Sequence, residues 1–256
     1  MQIWCTYYLP QLAAMKHDFA VITPMANEEK DFSPFVNALT VVLNEMQSGR
    51  VYLIVDNASK DRTLHLCQDL AMQDNRFVAV WAPESKNVVD AYLIGYRNAA
   101  TAKHEYIIEM DAGLSHDPKS LRHLLNPLVQ GYDCTFGSRF TKGGAILDTN
   151  LKRTVLSKGG TLLTNLLLGT KLKDMTSGYQ GFRLEVVERF LTYKLLSKAH
   201  FYQTELRYLL RKTRYIEVPI HYRSPSPRVS KKAVKNALHV LLYYFRKRIL
   251  FKSISL

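Results

Sequence analysis

The sequence predicts an α/β fold in which helices flank a mostly parallel sheet, and three observations lead to that fold class. Short apolar runs alternate with segments of helical apolar spacing through the first half of the chain. Repeated β-α units of this kind place successive strands parallel, through right-handed crossovers. The chain has 256 residues, of which 47% are hydrophobic, so it can form one large α/β domain or two small ones, with a sizeable core.

Five strands are predicted in the first half, each from an apolar run that ends at a polar or turn residue. The first run stops at Pro24, and the second delivers Asp56 to its end. The predicted strands cover residues 19–23, 51–55, 77–81, 106–110 and 132–136.

Helices are predicted between these strands. The segment 33–46 places Phe35, Leu39, Val42 and Met46 on one face, which is typical of an amphipathic helix. Further helices are predicted around residues 64–71, 88–100 and 119–129. Ser59 or Asp61 could cap the first of these three helices, and capping is weighed equally with a role in the functional site.

The second half of the chain has a different pattern. A double glycine at 143–144 opens a loop, and residues 174–183 hold too many turn and polar residues for an ordinary core element. Helices are predicted over 152–168, 184–190 and 203–211, a strand over 215–222, a loop at 224–227, and a basic amphipathic helix over 231–251. For the leucines within 162–168, packing in the core or against a second copy is favoured over a lipid groove.

The charge balance favours an anionic partner, because 35 Lys and Arg against 22 Asp and Glu give a net charge of +13. The three cysteines are widely spaced and form no disulfide or zinc pattern, which favours a reducing compartment. No apolar run reaches the roughly 18 residues of a membrane-spanning helix. Residues 1–18 are interpreted as an N-terminal extension and not as a signal peptide.

Two acidic residues stand at predicted strand ends. Asp56 follows the second strand, and Asp111 follows the fourth and precedes a small-residue turn. The carboxyl ends of parallel strands share one edge, so both carboxylates are expected at one crevice. A carboxylate placed there can meet a metal ion or a diphosphate.

Six segments, in this order, resemble the inverting family 2 glycosyltransferases. Their sequences are TPMANE at 23–28, VDNASKDRT at 55–63, MDAG at 110–113, FGSRF at 136–140, TSGYQGFR at 176–183 and SK at 230–231. The last two are similar to the dolichyl- or polyprenyl-phosphate mannosyltransferase branch. The resemblance implies a GT-A fold, which is Rossmann-like, for a domain spanning residues 19–230. Residues 231–256 are assigned to the basic amphipathic C-terminal helix from their own apolar and basic pattern.

The resemblance also implies a nucleotide-sugar donor, with GDP or UDP as the nucleotide, and a divalent metal, Mg²⁺ or Mn²⁺. It assigns the donor to Pro24, Asn27, Glu28, Asp56 and Ser59, with Asp56 accepting a hydrogen bond from the base. The alternative for Asn27 and Glu28 is a helix-capping turn.

Asp111 is the implied metal ligand, and it would connect the metal to the donor diphosphate. Gly113 stands where the family usually has a second aspartate, which removes one oxygen ligand. His116 or Asp117 could help, although Asp117 is at least as well placed to cap the following helix.

A lipid phosphate is the implied acceptor, and arginines would hold it. Guanidinium groups bind phosphate bidentately, which points to Arg139 and Arg183. Gln180 is expected to contact the sugar or the acceptor, and Arg228 and Lys231 resemble a loop that closes over the donor. A phosphate oxyanion needs positioning more than deprotonation, so Asp111, Arg139 and Gln180 are the expected catalytic residues.

The expected reaction is transfer of a mannose- or glucose-type hexose to a polyprenyl or dolichyl phosphate, with inversion. The basic tail helix suits an anionic membrane surface, so a peripheral position on the cytoplasmic face is expected. The alternatives are a saccharide or other hydroxyl acceptor in cell-surface glycan synthesis and a non-catalytic relative that has lost its metal through Gly113. A nucleic-acid partner is not expected, because no binding motif accompanies the charge.

Overall fold

A seven-stranded mixed sheet forms the centre of the chain in a computed structural model, which describes residues 17–147, 151–223, 230–252 and 254–256, without the side chains of 151–153 and 156. The strand order is β3-β2-β1-β4-β7-β5-β8, and β6 pairs with β9 in a separate two-stranded sheet. The strands are β1 Phe19–Met25, β2 Arg50–Asp56, β3 Phe77–Ala82, β4 Tyr106–Glu109, β5 Cys134–Ser138, β6 Ala145–Leu147, β7 Gln180–Arg183, β8 Tyr215–Pro219 and β9 His221–Arg223.

Eight α-helices are formed by the described residues. They are α1 Phe32–Met46, α2 Thr63–Gln73, α3 Val88–Thr101, α4 Leu121–Val129, α5 Leu151–Leu168, α6 Leu184–Leu191, α7 Phe201–Leu209 and α8 Lys231–Ile249, with a 3-10 turn Pro118–Ser120 before α4. The predicted fold class is confirmed, and the predicted elements of the first half occur within two residues of their expected bounds. The predicted extension 1–18 lies outside the described residues, except for residues 17 and 18.

The sheet separates two apolar cores. Phe19 and Val21 face the core formed with α1, α2 and α4, whereas Ala20 and Ile22 face the core formed with α3, α6, α7 and α8. This alternation follows from the two-residue period of a strand. Because helices cover both faces, the parallel strands β1 and β2 are buried on both faces and mostly apolar, as expected for parallel strands.

β7 was not expected from the sequence. It lies in the segment 174–183, which has too many turn and polar residues for an ordinary core element, and it runs antiparallel between β4 and β5. Its Gly181 is needed at this place, since an added Cβ would lie 2.7 Å from Thr135 Oγ1. A four-residue polar and glycine-containing strand carries too little hydrophobic pattern to be recognised locally.

The predicted strand over 215–222 is divided between two sheets. β8 pairs with β5 and ends at Pro219, whose missing N–H cannot continue a ladder. β9 then pairs with β6, which lies in the segment predicted as a loop.

Two neighbouring helices leave apolar side chains in solvent. On α5, Leu162, Leu163 and Leu166 are exposed, and Leu166 is 72% accessible, so these three leucines do not pack in the core of this chain. The other expectation, packing against a second copy, stays a prediction. On α8, Val240, Leu241 and Tyr244 pack into the body, while other apolar residues remain exposed. The exposed ones are Val234, Leu238, Leu242 and Ile249.

The two helices are joined at one end. The Arg248 guanidinium donates through Nη1 to the carbonyl oxygens of Leu166 and Leu167, at 2.9 Å each. A cation at the last carbonyls of a helix satisfies unpaired acceptors and the helix dipole. Among the described residues, no helix is both long enough and apolar enough to cross a membrane.

Candidate active site

The carboxyl ends of β1, β2 and β4 meet at one edge of the sheet, as the sequence predicted. β2 and β4 are the two parallel neighbours of β1, so Asp56 and Asp111 stand two strands apart, about 10 Å in the sheet direction. Pro24 lies on β1 between them. The edge therefore brings the two predicted carboxylates to one crevice.

The loops after β1 and β2 are tied together by Asn27. The Asn27 backbone N–H donates to Ser59 Oγ at 3.1 Å, and the Asn27 side chain bonds to Ala58 O and Lys60 N at 2.9 and 2.8 Å. Asn27 has a left-handed φ of 59°, which asparagine adopts more readily than most residues. The polar atoms of Asn27 and Ser59 thus hold the two loops in position beside Asp56.

Asp56 itself retains an accepting oxygen. Its side chain is nearly buried, and Oδ1 accepts a hydrogen bond from the Ala58 backbone N–H at 2.9 Å. Within the described residues, Oδ2 makes no hydrogen bond, so it can receive an N–H group from a ligand.

Asp111 is oriented by two buried rings. The Tyr92 hydroxyl donates to Asp111 Oδ1, and the Asp111 backbone N–H donates to His116 Nδ1 at 3.0 Å. Because Nδ1 accepts, the neutral ring carries its proton on Nε2, and burial lowers the pKa of His116. Nε2 lies 3.7 Å from Asp111 Oδ2, and the ring stacks on Tyr179 at a centroid distance of 4.8 Å.

A buried carboxyl lies beneath Asp111. Glu109 is fully buried, and it accepts hydrogen bonds from Tyr96 Oη at 2.7 Å, Gln180 Nε2 at 3.0 Å and Gln203 Nε2 at 2.7 Å. Burial raises the pKa of Glu109 to about 7, against the lowering effect of these donors. Gln180, predicted to contact sugar or acceptor, therefore lies in the floor of the site with its amide bonded to Glu109.

Arg139 forms a buried ion pair with Asp174. Arg139 Nε and Nη2 each lie 2.7 Å from a different Asp174 oxygen, and Nη2 also donates to Thr176 Oγ1. Arg207, also fully buried, donates to the Asp174 and Ser177 carbonyl oxygens. Arg139 packs against the Phe140 and Tyr222 rings, so the guanidinium is held in one orientation.

Other predicted residues lie elsewhere. Arg183 pairs with Tyr106 at the start of β4, the opposite edge of the sheet from Asp111, which removes it from the candidate site. Its position is reversed because β7 is antiparallel. Lys231 is exposed on the first turn of α8, whose Ser230 accepts from Ala233 N. Arg228 lies outside the described residues. Asp117 accepts from Lys119 N at 3.0 Å, so its capping role is confirmed.

Two carboxylates near the Asp111 turn could hold a divalent cation, those of Asp111 and Glu28. Among the described residues, no group of three or more His, Cys, Asp or Glu side chains is arranged to hold a metal ion by itself. Gly113 has a φ of +70°, and a Cβ added there would lie 3.1 Å from Glu28 Oε2. Asp111 and Glu28 thus flank the position where the sequence lacks a second aspartate.

Sequence reasoning missed several residues that shape this site. Tyr92, Gln203 and Arg207 are on helices, where a buried tyrosine or arginine has the same local pattern as a half-exposed one. Glu109 follows two apolar residues within a strand. A polar residue inside an otherwise buried run is the one signal that could have identified it.

The chain is similar to several known proteins. A family model described as Glycosyl transferase family 2 matches residues 20–191. The chain is 32% identical to polyprenol monophosphomannose synthase of Mycolicibacterium smegmatis, over 84% of this chain and 81% of that protein. It is 29% identical to undecaprenyl-phosphate mannosyltransferase of Micrococcus luteus, over 66% of this chain and 70% of that protein.

A solved structure has the same architecture. Glucosyl-3-phosphoglycerate synthase from Mycobacterium tuberculosis, in complex with Mn²⁺, UDP-glucose and phosphoglyceric acid, superposes with a TM-score of 0.65. The match covers 93% of this chain and 81% of that chain at 14% identity, so it concerns the fold alone. The predicted GT-A fold is thereby confirmed.

Proposed function

The chain belongs to glycosyltransferase family 2, and from that premise we propose that it transfers a hexose from a nucleotide-diphosphate sugar to a polyprenyl phosphate. The sugar is of the mannose or glucose type, and the anomeric configuration is inverted. The observation that carries this proposal is the 32% identity, over most of both chains, to a polyprenol monophosphomannose synthase.

The donor nucleotide is proposed to bind at the β1 and β2 ends. Asp56 Oδ2 accepts from a ring N–H of the base, as both guanine and uracil can donate. Pro24, Asn27 and Ser59 form the wall of this half of the crevice, and the hydrogen bonds between the two loops fix its width. A preformed wall reduces the ordering cost of binding.

Mg²⁺ or Mn²⁺ is proposed at Asp111, beside the donor diphosphate. The donor set fits such an ion, because carboxylate oxygens suit hard cations and Mg²⁺ usually takes one or two protein carboxylates plus substrate phosphates. When bound, the ion neutralises charge on the leaving diphosphate. Tyr92 donates to the Asp111 carboxylate and so orients it, while His116 holds the Asp111 backbone N–H.

Arg139 is proposed to hold the acceptor phosphate for in-line attack on the anomeric carbon. Asp174 accepts from Nε and Nη2, which orients the guanidinium, and within the described residues Nη1 has no hydrogen-bond partner. A phosphate oxyanion already carries the charge of a nucleophile, so no general base is needed. Lys231 and Arg228 are proposed to approach the donor from the segment that precedes and begins α8.

The exposed apolar rows of α5 and α8 are proposed to dock on the cytoplasmic face of an anionic membrane. Basic residues flank these rows, which suits an interfacial helix pair. The flanking residues are Lys158, Lys235, Arg246, Lys247 and Lys252. Each cation near such a surface adds about 1 kcal/mol of attraction. A peripheral enzyme placed in this way can reach a phosphate at the lipid surface.

A donor and acceptor panel tests the reaction. Purified protein is incubated with labelled GDP-mannose or UDP-glucose, Mg²⁺ and liposomes that contain undecaprenyl phosphate, and label is counted in the organic phase. We expect lipid-linked sugar with one donor, its loss in Asp111→Asn, and its retention in Asp117→Asn as the matched control. Label that passes only to water-soluble saccharides would refute the lipid acceptor.

Liposome sedimentation tests the docking surface. Leu166→Glu and Leu238→Glu should each shift protein from the pellet to the supernatant, whereas Met72→Glu, at an exposed apolar residue on α2, should not. Equal sedimentation of all three variants would count against these helices.

A further inference from the structure

The carboxylate of Glu28, from a distant part of the chain, lies beside Gly113. A Cβ placed on Gly113 would lie 3.1 Å from Glu28 Oε2, a distance shorter than in nine of ten natural Cβ contacts. Gly113 lies 85 residues from Glu28, so no sequence spacing relates them. The glycine therefore marks a place where a second carboxylate is present although the local motif lacks it.

The backbone of Glu28 is fixed by its neighbours, while its carboxylate has no partner. The Glu28 N–H donates to Thr63 Oγ1 at 2.9 Å, and the preceding Asn27 ties this loop to the β2 loop. Within the described residues, the Glu28 carboxylate makes no hydrogen bond and no ion pair. Partial burial and the negative charges of Asp31, Asp61 and Asp111 raise the pKa of Glu28 to about 6.

A second carboxylate oxygen here also lacks a donor. Asp111 Oδ2 faces His116 Nε2 at 3.7 Å, which is too long for a hydrogen bond. His116 is fully buried, and its Nε2 has no hydrogen-bond partner among the described residues. The site thus contains a Glu28 carboxylate and an Asp111 oxygen without donors, and one buried nitrogen, His116 Nε2, that faces the Asp111 oxygen.

We propose that Glu28 supplies the second protein carboxylate of the divalent metal site, in place of the aspartate that Gly113 lacks. Glu28 and Asp111 would hold the ion, and water and the donor diphosphate would supply its remaining ligands. This inference rests on the proposed function, since the diphosphate is part of the shell. Two carboxylates fall short of a closed protein cage, so metal binding depends on the nucleotide.

The arrangement changes what an aspartate at position 113 would do. Gly113→Asp puts a third carboxylate beside Glu28 on a left-handed backbone, which aspartate tolerates only at some strain. Like charges at this distance repel, so Gly113→Asp alone should not tighten metal binding. The double variant Glu28→Gln with Gly113→Asp places the second carboxylate on the local turn, and it should recover the metal binding that Glu28→Gln alone loses.

Mn²⁺ binding, followed by the EPR signal of free Mn²⁺ with and without GDP and UDP, tests the assignment. We expect Glu28→Gln and Asp111→Asn to raise the Mn²⁺ Kd in the presence of nucleotide by about tenfold or more. Glu29→Gln is the matched control and should stay within about twofold, since Gln can still accept from Arg62 N. Glu28→Gln removes a charge that its neighbours repel, so its thermal unfolding temperature should not fall.

Two results would overturn the inference: a Mn²⁺ Kd of Glu28→Gln equal to that of Glu29→Gln, or a raised Kd of Glu28→Gln that the added Gly113→Asp does not lower. Lipid transfer, measured in parallel, separates the two proposals. Glu28-dependent Mn²⁺ binding without lipid product would reject only the acceptor. Lipid product with Mn²⁺ binding indifferent to Glu28 would reject only the metal assignment.

Discussion

Replacing Asp174 with asparagine should remove a large part of the free energy of unfolding. The Asp174 carboxylate is fully buried and accepts from the Arg139 backbone N–H, Nε and Nη2 and from Thr176 N and Oγ1, at 2.7 to 3.3 Å. Asparagine keeps the shape but places an NH₂ group where an oxygen received a donor. It also leaves the buried Arg139 and Arg207 charges without their counter-charge.

The expected magnitude follows from that imbalance. Breaking a buried ion pair by removing one partner costs about 3–5 kcal/mol, a large share of the roughly 5–15 kcal/mol of a typical domain. Urea unfolding should show a lower midpoint with an unchanged slope. Asp69→Asn, at an exposed carboxylate on α2, is the control and should change the free energy by less than about 0.5 kcal/mol.

The pH dependence gives an independent check on Asp174. Burial alone would raise its pKa, but the hydrogen bonds and charge of Arg139, with the charge of Arg207, hold that pKa below its usual value. A carboxyl with a lowered folded pKa stabilises the fold above its unfolded pKa of about 4, and this contribution is lost as pH falls through the folded pKa. The difference between wild type and Asp174→Asn should therefore shrink below about pH 4. A loss under about 1 kcal/mol at pH 7, or a difference constant down to acid unfolding, would refute the reasoning.

Three further outcomes are expected. Gly137→Ala should lower the free energy of unfolding in urea by about 1–3 kcal/mol, because its Cβ would lie 2.7 Å from the Tyr179 carbonyl oxygen. Gly159→Ala, whose Cβ would have nothing within 4 Å, should instead stabilise α5 by about 1 kcal/mol. Equal effects of the two substitutions would contradict the close packing at Gly137. Tyr92→Phe removes the hydroxyl that holds Asp111 and should lower kcat/KM for sugar transfer by about tenfold at unchanged thermal stability, so an unaffected kcat/KM would argue against this support. EDTA should abolish transfer and Mg²⁺ or Mn²⁺ should restore it, whereas full activity in EDTA would exclude a required metal.

Much of the fold follows from local pattern. The alternation of apolar runs with helical spacing located the first five strands and the helices between them, because each such segment carries its own period. β7 and β6 were missed because each carries little hydrophobic period of its own. β7 is held by hydrogen bonds to β4 and β5, and β6 by hydrogen bonds to β9. For the exposed leucines of α5, the sequence left core packing and packing against a second copy open, because composition does not reveal which face of a helix meets a neighbour; the structure excludes the core for Leu162, Leu163 and Leu166.

The carboxyl edge was predictable for a similar reason. Parallel strands end at one edge, so Asp56 and Asp111 had to approach each other once the strand order was set. Arg183 was misplaced for the converse reason, since a reversed strand carries its last residue to the other edge.

The sequence by itself determined the α/β class, the order of the elements and the strand-end carboxylates, because these depend on period and connectivity along the chain. Only the tertiary structure decided which side chains from distant parts of the chain come into contact. Asp174 beneath Arg139 and Gln180 beneath Glu109 join residues that are 35 and 71 positions apart. Glu28 beside Gly113 is the most consequential case. A motif describes neighbours along the backbone, whereas a metal ion or a phosphate meets whichever oxygens and nitrogens the packed loops bring to one point.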